Sequence, residues 1–315
     1  MSSQTVQRRP PAPGEAPRSA ARRPWWRSRK VSGLGYAAPT AVFVVIFFVL
    51  PLLLVTQMSA SRWPLLTGNG GTNFPDNYTS ISDNPLFWPA VRFTLVYTVV
   101  VTVALLGLAL LLALLVQRPR RGVGLFRTAF FLPAALGLAS ASLLFWGLYS
   151  PSIGPLDPIL ERLGLIDEPI SWIGTPNMAL FSTVALIVWK FAGFFMLILL
   201  VGLQSISADV YEAARIDGAN AWQIFRRITL PLLRPSLALC LILCVTGSLL
   251  AFDQFFILTK GGPDNTTVTV VQLIYREAFF RLNLGSAAAI SMVVLVVLVV
   301  LNVVQFRFLR RGQEP

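Results

Sequence analysis

Few side chains in this sequence could hold a metal, move a proton or attack a substrate. The 315 residues include no histidine, and the two cysteines, Cys240 and Cys244, lie four apart in one apolar run. That spacing puts both on one helix face. Without further thiols or imidazoles they make neither a disulfide framework nor a zinc site, so they read as small packing residues. No apolar run carries a pair of carboxylates. What stands out are single charges set in apolar sequence: Lys190 in VALIVWKFAGFF and Asp253 in LLAFDQFF. An ionisable group in hydrocarbon costs about 2.5–3.5 kcal/mol on insertion scales, so it faces a cavity or a partner. Lys190 admits two readings, a structural amine held by an acid or carbonyl, or a group lining a solute path. Trp189 and Phe252 flank the two charges and either stack on a solute or simply pack.

The elements that must carry these residues follow from composition. Hydrophobic residues make up 55% of the chain and charged ones 13%, with a mean hydropathy of +0.68. Nearly uncharged stretches recur, each long enough for the roughly 20 residues of helix that cross a bilayer. The fold class expected is all-α, a polytopic transmembrane bundle with six spans near 36–58, 90–117, 126–149, 177–203, 235–258 and 284–308. The run at 35–58 is too long for a signal-peptide core and is followed by further spans. Residues 1–35, with five prolines and eight basic residues, read as a disordered basic tail held near anionic headgroups. Residues 36–308 form the membrane domain and 309–315 a second tail. The net charge of +12 does not point to nucleic acid, because the basic residues cluster in one tail and in short loops between spans. Nineteen Lys and Arg fall in the N-terminal tail, at the C-terminal end from Arg307 on and in the loops near 118–127 and 204–234, against five in the alternate loops. Both termini and the 204–234 loop are therefore expected on the cytoplasmic side.

That loop contains YEAARIDGANAWQIFRRITLPLLRP, residues 211–235. Ser207 is a suitable N-cap, with Asp209 in the first turn where the helix dipole favours an acid. Gly218 can take the left-handed conformation that ends a helix. Asp217 is placed just ahead of a second helix, where its charge helps. That helix sets Trp222, Phe225 and Ile228 on an apolar face and is expected to break at Pro231. The outcome is a helix–glycine–helix elbow, which on spacing alone fits an amphipathic element resting on the membrane surface as well as a docking element.

Glu212-Ala213-Ala214, then Asp217-Gly218-Ala219, then Ile228-x-Leu230-Pro231 closely resembles the EAA motif of permease subunits of bacterial ABC importers. SPSIGPLDPILERLGL, FDQFFILTKGGPDNTT and RLNLGSAAAIS look like its carbohydrate-uptake branch, similar to the first permease of maltose-type and glycerol-phosphate-type systems. The resemblance covers residues 36–308. It implies a non-enzymatic transport subunit whose elbow, through Glu212, Ala213, Ala214, Asp217, Gly218 and Ala219, docks on a cytoplasmic ATPase. It also implies a second homologous permease, a pair of ATPases, an extracytoplasmic solute-binding protein and a site in the inner membrane, in contact with lipid. ATP and Mg would be bound by the partner, since the sequence contains no G-x-x-x-x-G-K-[ST] loop. The solute implied is a sugar or related polyol, with glycerol-3-phosphate or a glycerophosphodiester as the alternative, and Trp189, Lys190, Phe252 and Asp253 are its pathway candidates. The branch usually has an uncharged polar residue near Lys190, so the lysine is a departure. A helical rise of about 1.5 Å per residue sets Lys190 and Asp253 roughly 10 Å apart in depth, so a direct ion pair requires Lys190 to snorkel outward. A secondary transporter would need acids in its spans for ion coupling, and only Asp253 qualifies.

Overall fold

The computed structural model describes residues 29–117 and 121–310. Cα packing divides the chain into two units, Met1–Leu54 and Val55–Pro315. In the first, the helix begins at Arg29, inside the stretch expected to be a tail. The last proline before it is Pro24, and the helix continues through Pro39. Residues 1–28 and 311–315 lie outside the described residues, and with them most of both expected tails.

Four helices match expected spans in position, a bent pair covers the third, and the fifth, expected at 235–258, leaves the helix after Leu249. Helices α1 (Ala37–Ser59), α2 (Phe87–Val116), α5 (Pro176–Gln204) and α10 (Leu284–Arg310) are long and apolar enough to cross a membrane. Two bent helix pairs are apolar enough that each would make one further span if it crosses as a unit: α3 (Val123–Phe131) with α4 (Leu138–Leu148), turning by 97°, and the elbow's second arm with α8 (Arg234–Leu249), turning by 65°. Between α5 and α8 lie α6 (Ala208–Ile216) and α7 (Ala221–Ile224); α9 (Val270–Tyr275) precedes α10. The core of the second unit is the α2–α5 pair. On α2 the buried residues Tyr97, Val101, Leu105, Ala109, Leu112 and Val116 recur every three to four positions, one helical stripe. Ala109 and Ala113 are fully buried, and such small residues let helix backbones approach in lipid.

The third span is not the straight helix the sequence predicts. After Phe131 the chain tightens into a 3-10 turn, Leu132–Ala135, with Pro133 at its start. Leu136 (ψ 147°) and Gly137 (ψ 144°) are then extended before α4 begins. Leu136 N–H donates to Pro133 O at 3.2 Å, and the break leaves the neighbouring carbonyls to find other donors. Lys190 on α5 answers them: its amine donates to Pro133 O and Ala134 O at 3.4 Å and to Leu136 O. It also lies 5.0 Å from the centre of the Phe191 ring. The side chain is 2% exposed, and the only ion pair among the described residues joins Arg281 to Glu277. A cation is suited to this place because the carbonyl end of a helix is its negative pole. One turn along the same face, Gly193 admits the broken segment: a Cβ there would stand 1.9 Å from Phe130 O.

The fifth span is interrupted as well. Helix α8 ends at Leu249, residues 250–252 leave the helix, and a π turn follows at Phe255–Thr259. The freed carbonyl of Ala251 accepts the Thr269 hydroxyl at 2.8 Å. Elsewhere a π turn accommodates proline. Phe225–Thr229 stands two residues before Pro231, and Val45–Val49 two residues before Pro51. In the wider turn Leu230 N–H donates to Phe225 O, so the helical path continues through Pro231 instead of breaking there. The turn comes three residues later, before Pro235.

Two substitutions test the support of the third span. Lys190→Met removes the amine from the Ala134 and Leu136 carbonyls, each at a cost of up to about 1–3 kcal/mol, and Gly193→Ala forces the backbones apart at a comparable overpacking cost of about 1–3 kcal/mol. Both are expected to lower the thermal unfolding midpoint of the detergent-solubilised protein by several degrees, with Lys190→Arg milder than Lys190→Met. Unchanged midpoints would show that neither residue supports the break.

Candidate functional site

The elbow is built from caps. Ser207 Oγ accepts from Asp209 N–H at 3.3 Å and opens α6. The helix closes on Gly218, whose φ of 76° is left-handed. Gly218 N–H donates to Arg215 O at 3.0 Å and Ala219 N–H to Ala214 O at 2.9 Å, the paired bonds of a Schellman stop. Asp217 is the C-cap of this first helix and does not lead the second. Asn220 does that, in a capping box: Asn220 Oδ1 accepts from Gln223 N–H at 2.9 Å while Gln223 Oε1 accepts from Asn220 N–H at 2.8 Å. The signal was present in the sequence as Asn-x-x-Gln ahead of an apolar run.

These caps fix which side chains point outward. Ala214 is 7% exposed, and the half-buried Tyr211 accepts a hydrogen bond from Thr229 Oγ1 of the second arm at 3.4 Å. Glu212, Ala213, Asp217 and Gly218 are exposed, and Ala219 is partly covered. Beside them Ile216 is 86% and Trp222 64% exposed. The corner thus presents two carboxylates, small residues and two large apolar side chains together. No buried residue explains their exposure, and the combination suits insertion into a cleft.

The pathway candidates separate into two places. Phe252 and Asp253 sit where the fifth span is interrupted and line a cavity of about 370 Å³ between α2, α5 and α8. Its walls include Phe191, Phe194, Phe195, Tyr97 and Gln254. Gln254 is 2% exposed; its Nε2 donates to Tyr97 Oη at 3.1 Å, while its Oε1 has no partner. A buried acceptor left open in this way costs free energy unless something donates to it. Sequence reasoning passed over Gln254 and Tyr97 because neither is charged, although Gln254 adjoins Asp253. Trp189 and Lys190 do not line this cavity. Trp189 lies against Phe145 with ring centres 5.2 Å apart, and Lys190 is turned to the carbonyls of the third span. Cys240 and Cys244 are buried and unbonded to each other; Cys244 Sγ lies 3.6 Å from Thr102 Oγ1.

Residues 85–312 match the family described as binding-protein-dependent transport system inner membrane component. The chain is 33% identical over 282 residues to the lactose transport system permease protein LacF of Rhizobium radiobacter, covering 88% of this chain and 93% of that one. It is also 33% identical over 278 residues to the sn-glycerol-3-phosphate transport system permease protein UgpA of Agrobacterium fabrum, covering 87% and 93%. Among solved structures, a bacterial ABC transporter involved in the import of the acidic polysaccharide alginate superposes with a TM-score of 0.80 at 24% identity, over 92% of this chain and 99% of that one. The elbow, the interrupted spans and these likenesses agree: the chain belongs to the inner-membrane permease family of binding-protein-dependent ABC importers, a transport component and not an enzyme.

Proposed function

We propose that this chain is one of two membrane-spanning subunits of an ATP-driven importer for a sugar or related polyol. The observation that carries the proposal is the exposed elbow corner. A rigid, doubly capped turn that projects Glu212, Ala213, Asp217, Ile216 and Trp222 is shaped for a cleft on another protein. In this reading the cleft belongs to a cytoplasmic ATPase, which binds the ATP and Mg. In this reading the chain crosses the inner membrane six times with both termini and the elbow on the cytoplasmic side, which the distribution of Lys and Arg supports. A second, homologous permease completes the pathway, and an extracytoplasmic binding protein delivers the solute.

The solute would pass through the cavity at Phe252 and Asp253. Aromatic walls suit the apolar face of a sugar ring, Asp253 accepts hydroxyl donors, and the unpartnered Gln254 Oε1 lies buried beside it. The interruption at 250–252 puts irregular backbone where it lines a cavity, the setting in which such backbone is tolerated at membrane depth. The relatives named for lactose and for sn-glycerol-3-phosphate support a sugar first and a phosphorylated polyol second.

The coupling role has a direct test. Gly218→Val puts a β-branched residue at a left-handed position, and Glu212→Lys reverses the charge offered to the cleft. Each is expected to leave membrane insertion intact and to abolish the stimulation of ATP hydrolysis by loaded binding protein. Normal stimulation in both variants would remove the elbow from transmission.

Topology is checked separately. Cysteine placed by Asn265→Cys or Ser171→Cys should react with an impermeant maleimide in intact cells, and by Gln223→Cys should not. Labelling of the Gln223→Cys variant from outside would invert the arrangement.

A further inference from the structure

A second, larger cavity of about 790 Å³ lies away from the one just described, between the ends of α2 and α4 and the segment from Phe256 to Arg281. Its polar groups are unusual. Gln272 is 2% exposed and its Oε1 has no partner. Glu277 is 3% exposed, but its carboxylate is already engaged, by Asn84 Nδ2 at 2.7 Å and Arg281 Nη1 at 3.0 Å. The Arg276 guanidinium is held by Asn265 Oδ1 at 2.6 Å and by Lys260 O at 3.1 Å. The Lys260 ammonium lines the cavity and pairs with no acid among the described residues. Three cations thus face one carboxylate, leaving an excess of positive charge beside a buried amide oxygen that no protein group satisfies.

The walls are aromatic and lead inward. Tyr275 packs against Phe280 at 5.9 Å and Phe256 at 5.1 Å, and Phe256 stacks on Phe252 at 5.1 Å with planes 18° apart. Phe252 lines the inner cavity, whereas Phe256, Tyr275 and Phe280 line the outer one. One run of rings therefore connects the two. A pyranose presents an apolar C–H face to such rings and hydroxyl donors at its edge.

We infer that the outer cavity is a binding site for an acidic saccharide: the ring lies on the aromatic track, a carboxylate or other anionic substituent meets Lys260, and a rotation of Gln272 turns its unpartnered Oε1 to a hydroxyl. The inference rests on the importer reading and narrows its solute class. The site would receive the sugar before the inner cavity does, and the shared rings would let it slide inward without leaving an aromatic face.

The test uses the assembled importer in phosphatidylcholine nanodiscs without nucleotide, with binding read by saturation-transfer NMR. The probes are methyl β-D-glucuronide, methyl β-D-glucoside and inorganic phosphate. The glucuronide should bind more tightly than the other two. Lys260→Gln, an exposed position, should weaken it about tenfold, the scale of one charge-assisted hydrogen bond. Gln272→Met should weaken both glycosides. No glucuronide binding, or binding unaffected by Lys260→Gln, overturns the proposal. Phosphate as tight as the glucuronide would mean a simple anion site. Glucuronide binding that disappears when phosphatidylglycerol is added to the nanodisc would mean a lipid-headgroup site. Sugar binding that persists while ATP hydrolysis shows no response to solute would count against the importer reading and leave the site standing.

Discussion

The bond between the Lys190 amine and the carbonyls of Pro133, Ala134 and Leu136 is the contact on which the rest of the membrane domain depends. In hydrocarbon there is no water to satisfy a broken helix, so each freed backbone group needs a partner within the protein. The third span turns by 97° and has that partner in a lysine on the neighbouring helix. Gly193, one turn away, removes the side chain that would hold the two backbones apart. Thr269 does the same service on a smaller scale for Ala251. A charge that is costly to insert is thereby offset by carbonyls that would be costly to leave open.

These interruptions separate two kinds of surface. Where the fifth span opens, Phe252, Asp253 and Gln254 reach a cavity. Where the chain leaves α5, two capped helices hold a rigid corner of acids and apolar side chains in the open. The elbow's second arm runs through a π turn and Pro231 toward α8, the helix that ends at the cavity. A continuous stretch of chain therefore connects the exposed corner to the cavity, with one 65° bend before α8. In the proposed reading, movement of the corner would reach the cavity through two helical arms and that bend.

Much of this was legible in the sequence. The long apolar runs located the helices expected near 36–58, 90–117, 177–203 and 284–308 to within a few residues, and Ser207 and Gly218 marked the ends of α6 because their chemistry is local. What could not be read was the straightness of the third and fifth spans. Pro133 signals a weakened helix, but the extended pair Leu136 and Gly137 is stabilised by a lysine more than fifty residues away, and no local pattern records that. Lys190 was visible as an anomaly, and its structural reading is the one its geometry favours; its carbonyl partners carry no side-chain signature. Gln254 was overlooked for the opposite reason, being uncharged and ordinary until burial leaves its oxygen without a donor. Pro231 misled because a π turn, invisible to a pattern of apolar residues, absorbs it.

The central claim is that the elbow corner meets an ATPase. A photo-reactive amino acid in place of exposed Ala213, in the chain expressed with its native partners, measures this most directly. The account predicts one dominant cross-linked product, containing the nucleotide-binding subunit, with a yield that changes when ATP is added. An assembled complex in which that position cross-links only to lipid would contradict it.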